Sequence, residues 1–152
     1  MIDSFRGKYF FLSNFYKFPV TLQGITYPSG EAAFQSQKTN SREKKIELFA
    51  NCLEPGLAKR RGRALPRPPG WDEALRLPAM KRVVRAKFSP HRCPDLVESL
   101  LDTGNLELVE GNTWGDQFWG CVYREGVGWV GENNLGIVLM ESRAILRGIY
   151  PF

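Results

Sequence analysis

Glu31, Gln35 and Lys38 lie four and three residues apart in the segment YPSGEAAFQSQK. Spacings of three and four place side chains on one face of a helix, and Ser29 is a residue type that caps a helix N-terminus. A carboxylate, an amide and an amine in a row, with Phe34 beside them, suit a pocket for a polar ligand that contains a ring. An ordinary solvated helix face would show the same spacing.

A second stretch with unusual composition reads EGNTWGDQFWG and places Asp116 between Trp114 and Trp119. Tryptophan faces can stack on a nucleobase or a sugar, and a carboxylate in partly apolar surroundings can act as an acid or orient a water as a base. The alternative is a structural loop in which the tryptophans fill the core and Asp116 caps a turn.

The chain of 152 residues has a formal net charge of +5, and much of the positive charge lies between the run KRRGR at 59–63 and Lys87. A basic region raises the local concentration of anionic ligands, whether phosphates or nucleic acid, although many such clusters are simply solvated. The length suits one domain, so we expect a single domain over residues 1–152.

The residue types present exclude several kinds of site. Cys52, Cys93 and Cys121 are far apart and His91 is the single histidine, which argues against a disulfide framework and a zinc site. We expect no metal and no cofactor. No apolar run is long enough to span a membrane, and the first residues lack a signal-peptide pattern. We therefore expect a cytoplasmic protein whose chemistry comes from carboxylates, lysine and arginine.

Short strands and then helices are predicted along the first part of the chain. Residues 18–22 and 25–27 flank Gln23 and Gly24, a pair that suits a hairpin turn, and an earlier strand is predicted over 9–12. Ser29 and Ser41 are expected to cap successive helices. Further helices are predicted from Pro55 to about 59, over 71–88 and over 96–101, with a loop over 63–70.

The last part of the chain combines one predicted strand with an irregular segment and a helix. The strand covers 106–110, the irregular segment covers 113–134, and Asn133 or Asn134 caps the final helix. The predicted fold class is α+β: a single compact, helix-rich domain with a small antiparallel sheet.

In this order along the chain, several motifs resemble the NADAR (YbiA-like) family. They are FLSNFY at 11–16, YPSGEAAFQSQK at 27–38, LAKRRGR at 57–63, WGDQFWG at 114–120 and NNLGIVLMESR at 133–143. The resemblance implies the family's helix-rich α+β fold and an N-glycosidase that hydrolyses the C–N bond between a ribose and a base-like amine. One branch of the family acts on phosphoribosylamino-pyrimidine intermediates of riboflavin synthesis, and another removes ADP-ribose from guanine in nucleic acid.

The resemblance also implies roles for particular residues. Glu31 and Asp116 are the candidate pair that stabilises positive charge on the sugar and protonates the departing nitrogen. Lys38 either supports direct hydrolysis or attacks the anomeric carbon and forms a Schiff base. Trp114 and Trp119 are expected to stack on substrate or shape the pocket, and Arg60, Arg63, Lys87 or Arg143 to hold phosphates. Asn14, Phe34 and Gln35 are further residues expected to bind substrate.

One position departs from the family pattern, since Ala32 stands where a histidine often follows the motif glutamate. This departure puts substrate specificity or rate in question. Two other functions fit the same features: a non-catalytic module that binds ADP-ribose or another nucleotide, and a general nucleic-acid-binding protein. Turnover that depends on Glu31 separates an enzyme from a module, whereas steep salt dependence marks nucleic-acid binding.

Overall fold

The computed structural model describes residues 1–149, and the chain divides into two units. One unit is the continuous segment Asn14–Lys87, and the other combines Met1–Ser13 with the chain from Phe88 onward. The single domain expected over residues 1–152 remains a prediction.

A β-hairpin opens the unit Asn14–Lys87. Strands β1 (Lys17–Leu22) and β2 (Ile25–Ser29) pair antiparallel, as predicted for the two segments that flank Gln23 and Gly24. Gln23 and Gly24 both have positive φ, 50° and 79°, which is the backbone that a two-residue hairpin turn requires.

Helix α1 (Gly30–Ser36) follows β2 without a linker and is the centre of this unit. The Ala32 N–H donates to Ser29 Oγ at 3.1 Å, so the predicted cap is confirmed. All seven residues of α1 are buried, and the alternative of a solvated helix face is therefore wrong. Lys38 lies in a turn after α1 rather than on it.

Three further helical segments pack around α1. The helix capped by Ser41 is α2 (Arg42–Lys44), which continues as a π-helical segment, Lys45–Ala50. Helix α3 (Pro55–Ala64) is longer than predicted, so Arg63 is helical and does not begin a loop. The last is a π-helical segment, Trp71–Leu75, that leads into α4 (Arg76–Lys87).

The other unit is built on two helices and a small mixed sheet. Helices α5 (Pro94–Leu101) and α6 (Asn134–Ile149) pack together through buried leucines and valines. Strand β3 (Gly111–Asn112) is parallel to β4 (Cys121–Arg124), which is antiparallel to β5 (Gly128–Val130). The segment predicted to be irregular therefore contains a hairpin.

Two strands predicted in this unit are absent from its described residues. Gly7–Leu12 is a 3-10 helix instead of a strand over 9–12. The segment 106–110 forms only one bridge, between Leu108 and Ile2. Two of its other backbone groups are held by the side chain of Asn133, which accepts from the Glu110 N–H at 3.0 Å and donates to the Leu108 carbonyl at 2.9 Å. Those bonds take the place of a strand partner.

The structure confirms the predicted α+β class, with helices that outweigh two small sheets in the described residues. Within the same residues, each helix is too short or too polar to cross a membrane.

Candidate active site

Glu31 and Gln35 are joined by a hydrogen bond in which Gln35 Nε2 donates to Glu31 Oε1 at 2.9 Å. Both side chains are buried. The Glu31 backbone N–H donates to the Asn14 carbonyl at 2.9 Å, which fixes the start of the helix. Gln35 Oε1 is buried and has no hydrogen-bond partner among the residues that the structure describes. The carboxylate is thus held by one neutral donor inside an otherwise packed interior.

Burial raises the pKa of the Glu31 carboxyl, because removal of water disfavours the charged form. The Gln35 hydrogen bond opposes this rise, and the positive charges of Lys59, Lys38 and Arg63 oppose it further. The net effect is a carboxyl group that keeps its proton to a higher pH than an ordinary glutamate. Such a group suits proton donation near neutral pH.

Lys38 is half-buried, and its ammonium group contacts both a backbone carbonyl and an aromatic ring. Nζ donates to the Gly62 carbonyl at 3.4 Å and lies 5.9 Å from the centroid of the Trp71 ring. Burial lowers the pKa of the Lys38 amine and the charge of Arg67 lowers it further, while Glu31 raises it. A lowered pKa increases the fraction of neutral amine, which is the nucleophilic form.

Phe34 and Trp71 pack against each other with ring centroids 5.6 Å apart, tilted by 49°. Both rings are 5% exposed. Phe34, predicted to bind substrate, makes a core contact with Trp71. Trp71 in turn brings its ring to Lys38, so this tryptophan links the core of the unit to the amine.

Asn14, predicted to bind substrate, is buried beside the first turn of α1. Its Nδ2 donates to Met80 Sδ at 3.2 Å. A Cβ built on Gly30 would lie 2.9 Å from Asn14 Oδ1, so a larger residue there would displace the Asn14 side chain. Ala32, the position of the departure from the family pattern, is fully buried.

The cations predicted to hold phosphates are placed differently from one another. Arg60 and Arg63 are exposed on α3, and Arg63 is close enough to Glu31 to lower its pKa. Lys87 is 1% exposed at the end of α4, with Nζ 5.8 Å from the centroid of Tyr16. Burial lowers the pKa of Lys87 to about 7.

Asp116 belongs to the other unit, where its carboxylate organises the loop after β3. Its Oδ1 accepts from the backbone N–H groups of Phe118 at 3.0 Å and Trp119 at 2.9 Å. The Asp116 backbone is held by the Asn112 side chain, through bonds of 3.0 and 2.8 Å. This arrangement is the turn cap that the sequence allowed as an alternative. A catalytic role for Asp116 remains a prediction.

The remaining predicted site residues of that unit are Trp114, Trp119 and Arg143. Trp114 is 60% exposed, which leaves a ring face accessible. Trp119 is half-buried and meets Phe118 edge-on, with centroids 4.7 Å apart. Arg143 is buried on α6, and its Nη1 donates to Thr103 Oγ1 at 2.8 Å. The Arg143 guanidinium is therefore hydrogen-bonded within its own unit.

Sequence reasoning missed two residues that shape the surroundings of Glu31 and Lys38. Neither Trp71 nor Gly62 is among the site residues predicted from the sequence. Their closeness to α1 is a tertiary contact that no local spacing reveals. Among the described residues, no cluster of three or more histidines, cysteines or acidic side chains is arranged to hold a metal ion.

Comparison with known proteins gives consistent matches over almost the whole chain. The model of the NADAR domain matches residues 4–147. N-glycosidase YbiA of Escherichia coli is 37% identical over 133 residues, which cover 86% of this chain and 78% of that protein. N-glycosidase Npun_R5314 of Nostoc punctiforme is 33% identical over 90% of this chain and 85% of its own length.

Two further matches concern structure and pathway. The NMR structure of the E. coli protein YbiA superposes with a TM-score of 0.79 at 33% identity, over 99% of this chain and 89% of that one. Riboflavin biosynthesis protein VVA0006 of Vibrio vulnificus is 31% identical over 93% of this chain but only 37% of its own length. The relatives' names bear out the predicted enzyme class, a hydrolase acting on N-glycosyl bonds. The chain belongs to the NADAR domain family.

Proposed function

We propose that this protein is an N-glycosidase that cleaves the bond between C1′ of a ribose and the nitrogen of a base, with Glu31 and Lys38 as its reacting groups. The observation that carries the proposal is the environment of these two side chains. One is a buried carboxyl whose pKa is raised, and the other is a half-buried amine whose pKa is lowered. The relatives named N-glycosidases support the reaction type.

Lys38 supplies the nucleophile in this proposal. The lone pair of its neutral amine forms a bond to C1′ while the C1′–N bond breaks, and the electron pair of that bond goes to the leaving nitrogen. Protonated Glu31 donates its proton to that nitrogen. The ring oxygen then leaves C1′ and takes up the proton lost by Nζ, which yields a Schiff base. Water adds to C1′ and releases the sugar and the lysine amine.

The shifted pKa values favour this division of roles. The reactive state needs Glu31 protonated and Lys38 neutral at the same pH, which is the reverse of their ordinary states at neutral pH. Each unit by which the two pKa values approach each other raises the fraction of molecules in this state by about tenfold. Burial moves both values in the required direction.

An anionic, nucleotide-like substrate suits the residues around this pair. Arg63 is exposed on α3 and close enough to Glu31 to lower its pKa, so it can hold a phosphate beside the pair, and Arg60 is exposed on the same helix. The name of the Vibrio vulnificus relative supports a phosphoribosylamino-pyrimidine of riboflavin synthesis. ADP-ribosyl-guanine in nucleic acid is the second substrate that we propose, because the net charge of +5 favours a polyanion.

The test is a side-by-side assay of purified protein with a phosphoribosylamino-pyrimidine and with DNA that carries ADP-ribosylated guanine. Release of the free base from either substrate, lost in Glu31→Gln and in Lys38→Ala, supports the proposal and selects the substrate. Tight binding of ADP-ribose without release of base from either substrate would mean that the protein is a non-catalytic nucleotide-binding module.

Direct hydrolysis is the competing route, and it is separable from the Schiff base by experiment. If water attacks C1′ directly, Lys38 serves only as a positive charge, and Lys38→Arg keeps most of the activity. If the amine is the nucleophile, Lys38→Arg is inactive, because a guanidinium does not lose its proton at neutral pH.

A further inference from the structure

Gly62 lies on α3 at the point where this helix packs against α1. A Cβ built on Gly62 would overlap Gln35 Oε1 and would lie only 2.8 Å from Gln35 Cβ. Real Cβ atoms essentially never approach so closely. Because Gln35 Cβ is fixed by the backbone of α1, rotation of the glutamine side chain cannot relieve the second overlap. The position therefore requires glycine if α1 and α3 are to keep their spacing.

The backbone of the same residue holds Lys38. The Gly62 carbonyl accepts from Lys38 Nζ at 3.4 Å and from the Leu65 N–H at 3.2 Å. This carbonyl lies in the last turn of α3, where the helix dipole places partial negative charge that favours a nearby cation. Lys38 thus takes its position from the same residue that leaves room for Gln35.

We propose that Gly62 is a positioning residue for Glu31 and Lys38 together. Its missing side chain lets Gln35 seat against α3 and donate to Glu31, and its carbonyl receives the Lys38 amine. One backbone position on α3 therefore sets the geometry of the acid and of the nucleophile. The catalytic meaning of this inference rests on the proposed function, whereas the geometric part can be tested in the free protein.

The first variant to test is Gly62→Ala, with Gly56→Ala as the matched control on the same helix. A Cβ built on Gly56 meets nothing within 4 Å. In Gly62→Ala we expect kcat to fall on the order of 10²-fold, as for a displacement of about 1 Å in reacting groups. We expect the carbon-13 NMR titration of Glu31 to move to higher pH, because the Gln35 donor is displaced, and that of Lys38 to leave its wild-type midpoint. Gly56→Ala should match the wild type in all three measurements.

A swap variant guards against a simple loss of folding. Gly62→Ala combined with Gln35→Gly removes the side chain with which the new methyl group collides. The wild-type spacing of α1 and α3 and the Lys38 titration should return in this variant, while the Glu31 titration stays at higher pH because its donor is gone. A swap variant in which Glu31 titrates as in the wild type would overturn the proposal.

Two outcomes separate this inference from the proposed function. If Gly62→Ala leaves both titrations and kcat equal to those of Gly56→Ala, Gly62 positions nothing and the inference is wrong. If the wild type releases no base from either substrate while both titrations respond to Gly62→Ala, the positioning stands and the proposed function fails.

Discussion

Gln35 Nε2 and Glu31 Oε1 lie 2.9 Å apart across one turn of α1, with both side chains buried. A neutral amide is the only direct hydrogen-bond partner that the described residues give this carboxyl group. A charged partner at the same distance would hold the carboxylate ionised. The choice of glutamine therefore leaves Glu31 able to carry a proton, and the nearby lysines and arginine set how readily it does so.

Substitution of Glu31 by Gln should remove turnover while preserving the fold. The loss expected for a missing general acid is on the order of 10²–10⁴-fold in kcat. Steady-state kinetics with the preferred substrate would measure it. Glu43→Gln, an exposed residue of α2, is the matched control. Equal loss in both variants would contradict the role given to Glu31.

The same substitution should change how stability depends on pH. Glu31 keeps its proton to a higher pH in the folded protein than in the unfolded chain. The free energy of unfolding therefore falls as the pH rises from the pKa of Glu31 in the unfolded chain to its pKa in the folded protein. Above the folded-state pKa, the cost of ionising buried Glu31 is fully present. Glu31→Gln lacks this cost. We expect the variant to be more stable than the wild type at neutral pH, with the difference vanishing below about pH 4. Denaturant titrations at several pH values test this, and a constant difference would contradict it.

The plot of kcat against pH should be bell-shaped. The midpoints of its acidic and alkaline limbs should lie closer together than the ordinary pKa values of glutamate and lysine, 4.5 and 10.5. Gln35→Leu removes the donor that lowers the Glu31 pKa, so its acidic limb should move to higher pH. Gln37→Leu, just beyond the same helix, provides the comparison. If the acidic limb does not move in Gln35→Leu, Glu31 is not the group whose titration produces it.

Substitution by alanine should strongly destabilise the protein at Trp71 and should leave its stability almost unchanged at Trp114. Trp71 is 5% exposed and Trp114 is 60% exposed. Trp71→Ala should reduce the free energy of unfolding by about 3–5 kcal/mol, whereas Trp114→Ala should change it by less than about 0.5 kcal/mol. If Trp114 stacks on the substrate, its loss raises KM at unchanged stability. Denaturant unfolding measures the change in stability of each variant, and steady-state kinetics measures the change in KM.

Two substitutions of Asp116, by Asn and by Ala, distinguish a turn cap from a catalytic residue. Asn retains the oxygen that accepts from the backbone of Phe118 and Trp119, and Ala does not. From the turn cap we expect Asp116→Ala to lose about 1 kcal/mol of stability and Asp116→Asn to keep both stability and turnover. Asp116→Asn with wild-type stability and no turnover would instead establish the catalytic role predicted from the sequence.

The parts of the fold that the sequence predicted are those determined locally. Ser29 and Ser41 cap helices because their hydroxyls reach N–H groups three residues on, and Gly24 readily adopts the positive φ that the hairpin turn needs. The aromatic run before Leu12 has strand propensity, but tertiary context gives it a 3-10 helix. The segment around Leu108 forms only one bridge, with Ile2, and Asn133, distant in sequence, satisfies its Glu110 N–H and its Leu108 carbonyl.

In the candidate site, too, the sequence predicted only what is determined locally. The spacing of four indicated that Glu31 and Gln35 share a face, and the structure joins them by a hydrogen bond. The contacts of Lys38 with Gly62 and Trp71 could not be predicted, because they depend on how α3 and the segment before α4 pack against α1. The shifted pKa values depend on that packing too, since burial is their largest cause.

The most direct test of the account is mass spectrometry of the protein after turnover in the presence of borohydride. Hydride reduces a Schiff base to a stable secondary amine, so the account predicts that the sugar of the preferred substrate remains attached to the peptide that contains Lys38. The adduct should be absent in Lys38→Arg and when substrate is omitted. Full turnover by the wild type with no adduct on Lys38 would contradict the account and leave direct attack by water as the mechanism.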